Sequence, residues 1–181
     1  MKVHHIETEI QSERWLDALI ERFAEPERTL VRRAQDYAVE SYGDDLHPSG
    51  EKWIDHARGT ASVIGALRMD ADALASALLL GMPSSSPALR EALERAFGTS
   101  VAALVRGVAS MAPIQALRAR AALVQRSSDK AAQLEALRKM LLAMVQDVRV
   151  VVLKLADQVQ VLRYLVGRGD AAACNDAAND T

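Results

Sequence analysis

Apolar residues recur at helical spacing from residue 15 onward. Trp15, Leu16, Leu19, Ile20 and Phe23 fall on one side of a 3.6-residue turn, and Pro26 is expected to stop that segment. A second amphipathic stretch runs from about Glu27 to Tyr42, with Leu30, Ala34, Tyr37 and Ala38 inward. The polar run from Gly43 to Gly50 breaks the period and reads as a loop. The spacing predicts a third helix from about Glu51 to Leu67, with Ile54, Val63, Ile64 and Leu67 on its stripe. Asp70 is placed to cap the next helix, which carries Leu74, Ala77, Leu78 and Leu79. Pro83-Ser84-Ser85-Ser86-Pro87 interrupts, and a short helix follows to about Ala96. Gly98-Thr99-Ser100 opens another that reaches Met111, with a kink expected near Pro113. Ala116 to Asp129 reads as a loose helix and connector, and Leu134, Leu137, Leu141 and Val145 form one stripe between Lys130 and Gln146.

The segment from Val148 to Val166 is rich in valine, which suits a strand. Its periodicity points to a helix instead, since Val148, Val151, Val152, Leu155, Val159, Leu162 and Leu165 keep one helical face. Neighbouring apolar residues widen that face, so a largely buried final helix is expected. After Gly167 the composition shifts to Ala, Asp and Asn, the signature of a disordered tail. The fold class read from this pattern is all-α, a compact multi-helix bundle. Composition agrees: only 4% of the residues are aromatic, so Leu, Val, Ala and Met must fill the core.

At 181 residues the chain is one ordinary domain. Its net charge of -2 gives no general attraction to nucleic acid or an anionic membrane, and no direct DNA binding is expected. The single cysteine, Cys174, cannot form an internal disulfide, which favours a reducing, cytoplasmic setting. Met1 to Glu9 lacks the apolar core of a signal peptide, and the longest apolar run, Ala73 to Pro83, is shorter than the ~20 residues a bilayer requires. A soluble chain without membrane partners is expected. No CxxC, GxSxG or HExxH signature and no glycine-rich phosphate loop is present.

Three stretches carry a more specific message. Ser49-Gly50-Glu51-Lys52-Trp53-Ile54-Asp55-His56 resembles the "SGEPYIxHP" entry to the metal site of RelA/SpoT proteins. Met69 through Gly98 resembles their "LDxxTLxAALLHDVxEDT…FG", and Val101 to Val108 their "VAxLVxGV". Leu137 through Asp157 is similar to "LRKMLLAMxxDxRVVxxKLAD", a long and specific match. Met111 to Leu117 is similar to the "MAxIxxL" of the RelA-type synthetases of proteobacteria. The resemblance covers about Arg33 to Leu165 and implies an HD-domain-like bundle. It implies an N-terminal helix over 1–26, a degenerate HD domain over 27–168, and a polar tail over 169–181 leading toward a synthetase domain that this chain lacks.

The family's hydrolase removes the 3′-pyrophosphate of (p)ppGpp with a bound Mn²⁺, held by one His, a His-Asp dyad and a distant Asp. By position the resemblance places these at His56, Leu80, Gly81 and Asp157. Leu80 and Gly81 offer no lone pair to a metal, so only His56 and Asp157 remain. The carboxylate pair that serves the attacking water falls on Ser84 and Ser85, and a serine at neutral pH is not a general base. The basic residue near the guanine falls on His47, and the Asn of "RLHNMR" on Val161. No cofactor is therefore expected here, manganese belonging to the active relatives.

Each of these polar residues has a plainer reading. His56 is either a metal remnant or, by preference, a hydrogen-bonded core histidine. An unpaired Asp157 would be costly in an apolar helix, so pairing with His56 or Arg163 is favoured over a solvated pocket. His4 and His5 read as solvated terminal residues, Arg118, Arg120 and Arg126 as a solvated face rather than a patch for phosphate or ribosomal RNA, and Cys174 as an inert exposed thiol.

The leading function is a regulatory, catalytically inactive pseudo-hydrolase domain of a stringent-response (p)ppGpp synthetase (a GTP pyrophosphokinase), with that synthetase domain as its partner and ribosome contact left to the parent protein. The alternatives are a non-catalytic guanine-nucleotide (ppGpp) sensor and self-association through an exposed apolar helix face. An active Mn²⁺ hydrolase is disfavoured by the substitutions.

Overall fold

The structure is a computed structural model. It describes residues 14–82, 87–123 and 147–169 with Cys174 and Ala177, and of 112–123 the backbone alone. The expected disordered tail, the 134–145 stripe, His4, His5, Ser84, Ser85, Arg126 and the side chains of Arg118 and Arg120 lie outside the described residues.

Seven helices make up the described fold: α1 (Arg14–Ile20), α2 (Glu25–Tyr42), α3 (Trp53–Ala66), α4 (Ala71–Leu78), α5 (Pro87–Phe97), α6 (Thr99–Leu123) and α7 (Val148–Gly167). Strands are absent among the described residues; one isolated bridge, Leu46 with Lys52, closes the loop before α3. The all-α expectation holds. Pro26 does not stop the first helix, which ends at Ile20; it lies in the first turn of α2, where its missing N–H costs nothing. Glu27 supports that start by accepting the Ala24 N–H at 3.0 Å. α6 runs helical through Pro113 and on to Leu123.

α4 is the axis of the bundle. Every residue from Ala71 to Leu79 except Asp72 is buried, and α2, α3, α6 and α7 pack around it. Asp70 caps it as expected, accepting the Ala73 N–H at 2.8 Å. Asp147 caps α7 in the same manner through the Arg149 N–H. One guanidinium joins the two caps, since Arg149 donates to both Asp147 and Asp70, at 2.7 Å each.

α7 corrects the sequence reading in one respect. Its buried residues are Val150, Leu153, Ala156, Asp157, Gln160 and Leu165, while Val148, Leu155 and Val159 from the expected face are exposed. Twelve of its twenty residues are Val, Leu or Ala and they fall on every side, so their periodicity alone does not choose the buried one. The choice is made by polar residues, because Asp157 and Gln160 turn toward α3. There Gly59 leaves room: a Cβ on it would lie 2.2 Å from the Gln160 side chain.

Candidate functional site

The site forms where the loop before α3, the N-terminal turns of α3, the middle of α7 and the turn after α4 converge. The loop is shaped by its own backbone. The His47 N–H donates to the Glu51 carbonyl at 2.8 Å, the Trp53 N–H to the Asp45 carbonyl at 2.9 Å, and Gly50 turns the chain at φ 87. Trp53 then opens α3 and His56 follows one turn later.

His56 is 1% exposed, and both of its ring nitrogens face carboxylates. Nδ1 lies 3.1 Å from Glu51 Oε2 and Nε2 lies 2.8 Å from Asp157 Oδ1. Lys154 donates to the other Asp157 oxygen at 2.7 Å, and Gln160 donates to Glu51 Oε1 at 2.8 Å. A ring hydrogen-bonded to a carboxylate at each nitrogen carries both protons, as an imidazolium. Burial works against that charge, but the hydrogen bonds His56 donates to Asp157 and Glu51 outweigh it and raise the His56 pKa. Burial likewise opposes the Asp157 charge, yet His56 and Lys154 bring its pKa down to about 2. Two anions and two cations thus close a compensated network between α3 and α7. Of the two partners considered for Asp157, His56 is the one it takes, and Arg163 is exposed.

His47 lies flat on His56, with ring centroids 3.9 Å apart and planes at 8°. Ser49 donates its backbone N–H to His47 Nδ1 at 3.1 Å, which leaves the ring proton on Nε2. Burial and the neighbouring His56 and Lys154 charges depress its pKa to about 4 against the pull of Asp157, so the ring is neutral at pH 7.

The opposite wall is apolar. Leu80 packs partly buried against the core. The Gly81 N–H donates to Tyr42 Oη at 3.0 Å, and the Tyr42 hydroxyl donates to the Leu78 carbonyl at 3.0 Å. Tyr42 stacks on Trp53, with centroids 5.6 Å apart, and Trp53 meets His47 and His56 edge-on. A Cβ at Gly81 would lie 2.7 Å from Trp53 Cε3 and 2.9 Å from Tyr42 Cε1. Val161 is half-buried beside Gln160.

His47, His56 and Asp157 are the group of potential metal ligands that gathers among the described residues, with ligand atoms within 4.8 Å of one another. They do not fit the divalent ion that the resemblance implies. Both His56 nitrogens are engaged by carboxylates, and the Nδ1 lone pair of His47 is taken by Ser49. The stacked rings also confine their in-plane lone pairs to two separate, nearly parallel planes, so the two cannot both aim at one point ~2 Å from each.

Sequence reasoning singled out His47, His56, Leu80, Gly81 and Asp157; the structure clusters His47, His56 and Asp157, sets Gly81 behind Trp53, and packs Leu80 against the core. It missed Glu51, Lys154, Gln160, Tyr42 and Trp53. The spacing of Lys154, Asp157 and Gln160, three polar residues each three apart in an apolar helix, was the available signal. Cys174, expected to be exposed, is half-buried and free.

Comparison with known proteins agrees with this architecture. The family described as "HD domain" matches residues 34–181. The chain is 36% identical over 152 residues to the bifunctional (p)ppGpp synthase/hydrolase SpoT of Escherichia coli strain K12, covering 83% of this chain and 20% of that protein. It is 35% identical over 149 residues to the guanosine-3′,5′-bis(diphosphate) 3′-pyrophosphohydrolase of Vibrio cholerae, covering 82% and 20%. It is 31% identical over 141 residues to the GTP pyrophosphokinase of Myxococcus xanthus, covering 78% and 18%. The chain spans about a fifth of the length of these relatives. With its helical bundle and the matches just described, the chain belongs to the HD-domain family, in the form found in RelA/SpoT-type proteins.

Proposed function

We propose that this chain is a non-catalytic HD domain of a cytoplasmic stringent-response protein, acting on a (p)ppGpp synthetase domain of its parent chain through protein contacts. The observation that carries this reading is the state of His56. Its two nitrogens are committed to Glu51 and Asp157, and the dyad positions opposite hold Leu80 and a crowded Gly81. Protein hydrogen bonds engage the ligand atoms of His56 and Asp157, which speaks against a metal held there and against a base free to activate water among the described residues of the site. The parent protein is then a GTP pyrophosphokinase, as the Myxococcus relative is named.

The deciding experiment is calorimetric titration of ppGpp into the 181-residue chain with Mn²⁺ present. A flat trace is expected. Saturable heat would identify a nucleotide sensor instead, and heat that continues as turnover would restore a hydrolase. In the parent enzyme, removal of this domain is expected to alter the rate or regulation of ppGpp synthesis, and unchanged synthesis would remove the regulatory role.

A further inference from the structure

The resemblance describes loss at the dyad as loss of ligands. The structure adds that the space has been filled. Gly81 has no positive φ, unlike Gly43, Gly50, Gly98 and Gly169, so its backbone would accept any L-residue. What excludes a side chain is volume alone: Trp53 Cε3 and Cζ3 stand 2.7 and 2.8 Å from the Cβ position, and Tyr42 Cε1 stands 2.9 Å from it. Rings of this size cannot give way as the end of a flexible chain does. Tyr42 is 5% exposed and is pinned at both ends of its hydroxyl by Leu78 and Gly81. Trp53 is the less buried of the two, and its movement decides whether the site can open.

We infer that Trp53 is the residue that keeps position 81 closed to a metal-ligating side chain: its ring, braced on Tyr42, occupies the room that an acidic side chain there would need. The inference rests on the reading of the site as non-catalytic and predicts that substitution at the dyad alone does not make a metal site. Restoring His and Asp at 80 and 81 supplies ligands but drives the new carboxylate into an indole. Shortening Trp53 frees the volume on one side, and the stacked Tyr42 ring can slide into the gap.

Two linked measurements test this on the full chain. The first is a thermal double-mutant cycle with Gly81→Ala and Trp53→Leu. Gly81→Ala alone is expected to lower Tm by about 3–10 °C, as for an overpacked core. In the Trp53→Leu background the same change is expected to cost little or nothing; an equal loss in both backgrounds would overturn the inference. The second is Mn²⁺ calorimetry on folded L80H/G81D and L80H/G81D/W53L. The triple variant is expected to bind at least about tenfold more tightly, the size of effect that the surroundings of a metal site produce. Equal binding by both, or no binding by a folded triple variant, would show that Trp53 is not the block. Saturable Mn²⁺ binding by the unaltered chain sinks the metal-free reading itself, whereas the Gly81→Ala cycle judges the role of Trp53 separately.

Discussion

The two walls of the site are held by different means. On the α3–α7 side the polar residues stay, and their charges are balanced by protein groups: Glu51 and Asp157 around His56, with Lys154 and Gln160 behind them. On the α4 side the wall is apolar, made by Leu80 and the stacked Tyr42 and Trp53. A charge left in a core needs a countercharge, and a void needs atoms. The first wall is therefore electrostatic in character and sensitive to pH, while the second is steric and indifferent to it.

The largest effect should come from breaking the electrostatic wall. Asp157→Ala leaves an imidazolium and a lysine facing empty space and should destabilise the chain by about 3–5 kcal/mol in urea unfolding. A loss below about 1 kcal/mol would mean the network is solvated and contributes little.

Next comes pH. The raised His56 pKa gives stability that is complete below its ordinary 6.5 and is lost as pH rises through the higher folded value. The depressed His47 pKa works the other way: its contribution is present above 6.5 and fades as pH falls toward about 4. Asp157 removes on the order of 2 kcal/mol more as pH falls from its ordinary 3.8 toward about 2. Tm should therefore peak near neutrality and fall on both sides. His56→Gln should flatten the alkaline limb and leave most of the acid limb from His47. An alkaline limb unchanged by that substitution would assign it to other groups.

The steric wall should answer to smaller changes and without pH dependence. Tyr42→Phe removes the hydroxyl that joins the Leu78 carbonyl to the Gly81 N–H and should cost about 1–2 kcal/mol, equally at pH 5 and pH 8. Smallest of all is Val159→Ser. Only two residues from Asp157 but outward-facing, it should change stability by less than about 0.5 kcal/mol. A large loss there would restore the face that the periodicity predicted.

That last contrast marks the limit of what the sequence disclosed. The helices and the Asp70 cap were legible because periodicity and capping chemistry are local. The positions of His56, Asp157, Leu80 and Gly81 were legible through motif spacing. The face of α7 was not, because a helix apolar on all sides is oriented by its few polar residues and by their partners 101 and 109 residues away. Nor was the role of Trp53. Its ring meets Gly81 across the fold, and a glycine kept for volume looks in sequence like one kept for a turn.

The bond between the two helix caps has a consequence for how such a site can change over time. Arg149 fixes Asp70 and Asp147 to a single point, and Leu80 and Asp157 each stand ten residues beyond their own cap. At a rise of 1.5 Å per residue, Asp157 lies about 15 Å along α7 from that common origin, and Leu80 follows just past the end of α4. The level at which the two walls meet is thus surveyed from outside the site, by a clamp that has no part in its chemistry. Side chains at the centre could be exchanged one after another while the backbone frame stayed in register, and the same frame would still be there to receive a working set.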